Sequence, residues 1–498
     1  MTAIKAIAGN IYCVYNDALK KYTACQIIKI DEMANGQAVQ LILDWSGDKP
    51  MTADEMAGVK PLYMDYFYWQ RGFHLVNVKA EVPLNYIFIG NKEPLSHEST
   101  DAYGFWDNGY NAYRQFKWEQ ISEAKRQLFK AAAHSEKYIL WNSQELPLKS
   151  SSLNDMQHPF EKAKSLLELP CLSKLSCERW YDDLEDYLEA CPFLMELQLR
   201  NHGQESLDFR KSHLQRLTLS LQGVNRLYLN EDLQELTIIG ESSGICRIFV
   251  NGQGEALQLH CHEEIPFYSD LKNLRALQVS GIDRMDMKSL AENYPNLKSL
   301  RLWGRPGNID NFAAVADLKK MQQFSTMDLF GFGAEDIPNP DKMKDLSWFW
   351  MTSLPEEAAK KIKSLYKKSK ADGLDLNISK PRKKEWLAQN LDNPFRSWEG
   401  ESHIAASTAR KAATIYRKTR GEVLKLIERE GLEVEISLSA AIKDYTEAFN
   451  KMDTRYSFIE TEERENIYEA LWAIVDLVPE AMASREKLIA VFEKTRDF

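Results

Sequence analysis

The feature that most constrains this chain is a spacing of large apolar residues, L-x-x-L-x-L, that returns through its middle. It begins at Leu194 ("LMELQL"), Leu214 ("LQRLTL"), Val224 ("VNRLYL"), Leu233 ("LQELTI"), Ile245 ("ICRIFV"), Leu274 ("LRALQV") and Leu297 ("LKSLRL"). A half-match, "EALQLH", surrounds Leu257, and weaker copies follow at "MQQFST" and "MKDLSW". A recurring spacing means similar coils, each too small to bury its apolar side alone, stacked on one another. The last two apolar slots of each copy are two residues apart, the period of a strand, so they enter the core while the residues between them point out.

The period is uneven. Copies near Leu277, Leu300 and Phe324 lie about 20 to 24 residues apart, whereas those between Leu217 and Leu257 are only about 9 to 12 apart. A long coil has room for a strand and a return helix, and "DMKSLAENYPN" is predicted to be such a helix, with Leu290 and Tyr294 inward. The short coils are expected to be strand and turn only. All the strands are expected to join one parallel sheet, with helices at the ends of the stack.

Over roughly residues 165 to 370 this pattern resembles the leucine-rich repeat family. The resemblance implies a solenoid whose residues between the leucines point outward on the concave side of its sheet. The flanking positions here are Glu196 and Gln198, Arg216 and Thr218, Arg226 and Tyr228, Glu235 and Thr237, Arg247 and Phe249, Ala276 and Gln278, Ser299 and Arg301, with His260 and Trp303 one step beyond. Exposed aromatics interleaved with Arg are the composition of protein-binding hot spots. The candidate protein-binding residues are therefore Arg216, Arg226, Tyr228, Arg247, Phe249, His260, Gln278, Arg301 and Trp303. The alternative is that a flanking domain covers Phe249 and Trp303, since large apolar patches are seldom left bare.

A chain of 498 residues exceeds what one core usually supports. The fold class expected is multidomain α+β: a small β-barrel-like N-terminal domain, a central irregular leucine-rich repeat solenoid and a C-terminal helical domain. Residues 1–98 hold short β-rich runs such as "GNIYCVY", "YTACQIIKI" and "AVQLILDW" between turn-forming "NDALKK", "DEMANGQ" and "SGDKP". Residues 99–164 read as an aromatic loop, a helix "KWEQISEAKRQLFKAAAH" with Ile121, Leu128 and Phe129 inward, and a linker "LPLKSSSLNDMQHP". The solenoid takes 165–370, and "SLPEEAAKKIKSLYKKSK" opens with a Ser cap, Pro at the first helical position and acids in the first turn. Residues 371–402, with Trp386, Phe395 and Trp398, read as a charged aromatic tether wrapping the solenoid end or as a second contact surface. Residues 403–498 read as a helical bundle.

The strand order "GNIYCVY", "ACQIIKI", "YFYWQRGFHLVNV" and "NYIFIGNKEPL" resembles a small immunity-protein family of bacterial polymorphic toxin systems, which covers under a fifth of the chain. The stretch "LPEEAAKKIKSLYKK … ISKPRK … LDNPFRSW" is similar to long bacterial leucine-rich proteins loosely labelled as gliding motility proteins. That label implies no mechanism.

Composition narrows the function. The net charge of -10, with acids spread along the chain, sits against nucleic acid as a main ligand. Seven cysteines, odd in number and without a C-x-x-C pair, argue against a disulfide framework and for a reducing, cytoplasmic location. No stretch of about 18 apolar residues occurs, so no membrane partner is expected. The motifs G-x-x-x-x-G-K-[ST], H-E-x-x-H and G-x-S-x-G are absent, and "GFGAED" at Gly331 lacks the third glycine of a dinucleotide fingerprint. In "LHCHEE", strand alternation separates His260 and His262 from Cys261, leaving two ligands where structural zinc needs four. No metal and no cofactor are expected.

The leading expectation is a non-enzymatic protein-binding protein. The N-terminal resemblance implies an immunity protein that covers the active or substrate surface of a cognate toxin. A cytoplasmic scaffold or adaptor in signalling or motility uses the same face on another partner, and an enzyme with its site between barrel and solenoid is the third reading.

Overall fold

A computed structural model of the chain describes residues 4–31, 36–240, 246–383, 386, 390, 393–428, 434–479 and 482–498. It divides into two compact units, Met1–Pro381 and Arg382–Phe498.

The first unit opens with a five-stranded antiparallel sheet, in the order Leu75–Lys79, Gln37–Gly47, Lys21–Asp31, Asn10–Asn16, Ile87–Asn91. Both of its faces are apolar. Tyr12, Val14, Cys25 and Val78 lie in one cluster, and Ile11, Cys13, Ala24 and Leu41 in another. That is why "IYCV" reads as a continuous apolar run, without the alternation of a half-buried strand. The barrel-like domain expected for residues 1–98 takes the form of a sheet with two edges, Leu75–Lys79 and Ile87–Asn91.

Residues 110–133 form two helices, Tyr110–Gln120 and Glu123–Ala133, where one was expected. Gly109 precedes the first at φ 84°, and a Cβ there would meet Thr23 Oγ1 at 2.3 Å, so only glycine fits. Phe129 is buried as expected, but Leu128 is 57% exposed, because the break at Ile121 re-phases the second helix. The stretch read as a linker holds ordered strands: Gln144–Pro147 pairs with Tyr138–Trp141, and Ser152–Asn154 is the first strand of the large parallel sheet.

That sheet has eleven strands, of which the first ten pair in parallel: Ser152–Asn154, Lys174–Cys177, Glu196–Leu199, Arg216–Ser220, Glu235–Ile239, Gln258–His262, Ala276–Asp286, Ser299–Asp310, Gln323–Phe330, Trp348–Pro355 and Asp375–Arg382. It extends beyond residues 165–370 on both sides. Its spine is one in-register row, Leu153, Leu175, Leu197, Leu217, Leu236, Leu259, Leu277, Leu300, Phe324 and Phe349. Every member is at most 3% exposed, and burying each side chain contributes about 1.5–3 kcal/mol.

The expectation of a single parallel sheet is corrected. Strands Ser206–Asp208, Arg226–Tyr228 and Arg247–Phe249 pair with one another in a second parallel sheet. Their central residues Leu207, Leu227 and Ile248 are fully buried in the same core as Leu197, Leu217 and Leu236. The short spacing is half a coil: the chain runs along one sheet, turns, and comes back along the other before the next coil begins. Ile245, where "ICRIFV" begins, lies outside the described residues.

Where coils are longer the return is helical, as in Met287–Asn293, with Leu290 and Tyr294 fully buried as expected. The helix Glu356–Leu365 follows directly on the last residue of a strand, Pro355, so the cap is Pro355 and Ser353 belongs to the strand.

The second unit holds helices Ala406–Ile427, Val434–Tyr456, Thr461–Val475 and Arg485–Thr495. Phe395 and Trp398, expected in a tether, are buried in this unit's own core beside Tyr416, Phe449 and Phe458. The Trp398 indole N–H donates to Asn466 at 3.0 Å. The segment is polar in composition, yet its aromatics supply the core.

Candidate functional site

The two sheets bury their middle residues in one core, so their outward residues point in opposite directions. Arg216, His260, Gln278, Arg301 and Trp303 lie outward on the eleven-stranded sheet; Arg226, Tyr228, Arg247 and Phe249 lie outward on the three-stranded sheet. The nine candidates do not share one face. This corrects the expectation drawn from a single sheet.

On the large sheet the first outward row runs Lys174, Glu196, Arg216, Glu235, Gln258, and the next runs Ser176, Gln198, Thr218, Thr237, His260, Gln278, Arg301. Charge in this half is spent internally: Glu196 takes both Lys174, at 3.4 Å, and Arg216. His260 is half-buried, with Nδ1 3.8 Å from Glu235 and its other nitrogen against Gln258. Burial holds its pKa below the ordinary 6.5; Glu235 opposes that shift and Arg301 adds to it.

Towards the later coils the same rows turn aromatic. Trp348 and Trp350 stand outward on either side of the buried Phe349, their rings 4.8 Å apart. The Arg301 guanidinium lies 5.4 Å from the Trp348 ring centroid. Trp303 is half-buried and pairs with Met327, which is 40% exposed, and Trp350 is 38% exposed. Sequence reasoning missed Met327, Trp348 and Trp350 because phenylalanine replaces leucine in the inward slots there. The signal was present in the alternation "WFWM", which begins at the last residue of the weak copy "MKDLSW".

The three-stranded sheet carries a ladder. Tyr228 and Phe249 are register neighbours with rings stacked 4.7 Å apart, 13° from parallel. Arg210 lies 4.7 Å from the Tyr228 centroid and Arg247 5.4 Å from that of Phe249. Each cation is held: Arg210 by Asp208, and Arg247 by Asp270 through two bonds of 2.6 and 2.8 Å. Those bonds draw the Asp270 carboxyl below its usual pKa. Arg226 is exposed and has no ion pair among the described residues.

In "LHCHEE" the alternation is as expected, with His260 half-buried, Cys261 buried and His262 exposed. Among the described residues no group of three or more His, Cys, Asp or Glu is placed to hold a metal ion, and no helix is long and apolar enough to cross a membrane.

No family model matches the chain, and no curated protein matches it. Solved structures similar to it include an internalin (inlF) from Listeria monocytogenes, 16% identical, covering 44% of this chain and 70% of its own, with a TM-score of 0.26. Another is an internalin C2 (inlC2) from the same organism, 14% identical, covering 47% and 84%, with a TM-score of 0.17. At such scores the repeat stands on its own in-register ladder of leucines.

Proposed function

We propose that this chain is a non-enzymatic protein-binding protein, that its coils form a leucine-rich repeat solenoid, and that the partner sits on the outward face of the eleven-stranded sheet over its later coils. One observation carries this reading: Arg301, Trp303, Met327, Trp348 and Trp350 form a single partly exposed patch on adjacent strands of one sheet. Trp and Arg are enriched among the residues that carry binding energy at interfaces, Trp because it buries a large area with few rotamers to lose and Arg because its planar guanidinium stacks on aromatic rings and hydrogen-bonds in a fixed fork. The earlier coils suit the rim: their ion pairs are already formed, and exposed pairs contribute about 0–1 kcal/mol each.

The narrower reading is an immunity protein that neutralises a cognate toxin by covering its active or substrate surface, and it rests on the strand order of residues 1–98. The broader one is a scaffold or adaptor using the same patch on another partner. Seven free, buried cysteines support a cytoplasmic location for either.

The test compares tagged wild type with a Trp348→Ala/Trp350→Ala variant in pull-downs from the native extract, alongside co-expression with the product of the adjacent gene. Loss of a specific partner in the variant supports the patch. A partner retained at equal yield removes it. Rescue from a lethal neighbouring gene product selects the immunity form, and a harmless neighbour selects the scaffold.

A further inference from the structure

Two helices of the second unit, Ala406–Ile427 and Thr461–Val475, carry opposite charge on their outward faces. On the first, Arg410, Lys411, Arg417, Lys418 and Lys425 are exposed, on the side away from the buried Ala409, Ala412, Thr419 and Val423. Arg410 and Arg417 are seven residues apart, as are Lys411, Lys418 and Lys425, and a step of nearly two turns keeps each set on one face. Glu422 is the one carboxylate in this helix, and none of the five cations has a carboxylate within 4.0 Å among the described residues. Lys411 bonds only the Tyr456 hydroxyl, at 2.8 Å, and Arg417 only the Ala413 carbonyl of its own helix, at 3.2 Å.

On the second helix Glu462, Glu465 and Glu469 are exposed and likewise have no cation within 4.0 Å. They are neighbours three and four positions apart, where like charges destabilise a helix, so a cationic cover relieves a cost. Asp476 extends the row by seven residues and is held by Arg485 at 3.2 Å. Arg464, the one basic residue of this helix, lies off the row.

The two faces also match in shape. A shallow hollow of about 390 Å³ beside the basic rows is lined by Arg410, Lys411, Thr414, Ile415 and Met452. Trp472 is half-buried and stands in the acidic row, seven residues after Glu465 and three after Glu469. A floor of Ile415 and Met452 with two cations at its rim suits an aromatic ring, which gains cation–π and sulfur contacts there. Exposed ion pairs alone contribute about 0–1 kcal/mol each, so a ring at their centre is what makes such a contact specific. Nucleic acid would answer the cations only, whereas a second copy of the chain answers the cations, the carboxylates and the hollow together.

We propose that the second unit binds a second copy of this chain, the basic face of Ala406–Ile427 in one copy against the acidic face of Thr461–Val475 in the other. Glu465 and Glu469 pair with the Arg and Lys rows, and Trp472 enters the hollow over Ile415 and Met452. The contact uses residues of the second unit alone, so its failure and that of the aromatic patch are read separately.

The test is analytical ultracentrifugation of the full chain at low and high salt over a wide range of concentration. The expected result is association at low salt that weakens about tenfold or more at high salt, since salt screens exposed charges. Arg417→Glu/Lys418→Glu and Glu465→Lys/Glu469→Lys change exposed side chains, and each variant is expected to be monomeric by itself. Their equimolar mixture is expected to associate again, because each reversed face then meets its complement. Trp472→Ala is expected to weaken association at least threefold while the circular dichroism of the helices is retained. A wild type that stays monomeric at low salt overturns the proposal, as does association that survives both reversals or a mixture that fails to associate.

Discussion

Tyr228 and Phe249 stack face to face, in register on adjacent strands, with centroids 4.7 Å apart, on the opposite side of the core from Arg301. Sequence spacing alone had put all three on one binding face. Their separation converts a shared prediction into two different ones.

For the stacked pair the expected effect is on stability. A double-mutant cycle of Tyr228→Ala and Phe249→Ala should give a coupling of about 0.5–1.5 kcal/mol in urea denaturation. The same variants should leave capture of the partner at the aromatic patch unchanged. Zero coupling, or loss of that partner, contradicts the arrangement.

For the patch the expected effect is on affinity. Trp348→Ala with Trp350→Ala should weaken partner binding by more than about 2 kcal/mol, roughly thirtyfold, as removal of a hot spot does. Trp303→Ala should act in the same direction and Arg226→Ala should not, which surface plasmon resonance on the captured partner will show.

The leucine row and the second sheet share one core, so Leu236→Ala and Leu227→Ala should cost similar amounts, about 2–5 kcal/mol each. Both side chains are fully buried. The urea midpoint of the first unit reads this directly, and a Leu227→Ala cost near that of a surface change would remove the second sheet from the core.

His260 makes stability depend on pH. Burial holds its folded pKa below 6.5, so between that lower value and 6.5 the unfolded chain binds more protons than the folded one. Stability is therefore full above 6.5 and falls as pH drops through that window. Wild type should lose stability relative to His260→Gln on acidification and match its slope above 6.5; parallel curves over the whole range would falsify the assignment.

The second unit has its own core, so a fragment of residues 382–498 should fold alone with helical circular dichroism and one cooperative melt. Within it, Trp398→Ala should cost about 3–5 kcal/mol. A featureless melt of the fragment would show that the core around Phe395 and Trp398 is insufficient.

Much of this was legible in the sequence where local pattern decides. The slots of "LQRLTL" and "LKSLRL" fixed Leu217, Leu219, Leu300 and Leu302 as buried, and Leu290 and Tyr294 followed from helical spacing. Legibility failed where partners far along the chain decide. Phe395 and Trp398 sit in a polar stretch and were expected in a tether at the solenoid end or on a second contact surface, yet residues about 60 to 70 positions after Trp398 help to bury them in a separate core. "LPLKSSSLNDMQHP" has the composition of a linker, but Ser152–Asn154 gains a strand partner in Lys174–Cys177.

Within the repeats, the sequence by itself determined, strand by strand, which side chains enter the core and which point out, since alternation has a period of two in a strand covered on one face. It did not determine on which side of the core each strand lies. That was decided by closure of the coil, which pairs Glu196 with Arg216 and Ser206 with Arg226 in two separate ladders. The same alternation satisfies either sheet, so only the tertiary pairing gathers Arg301, Trp348 and Trp350 on one face and sends Tyr228 and Phe249 to the other.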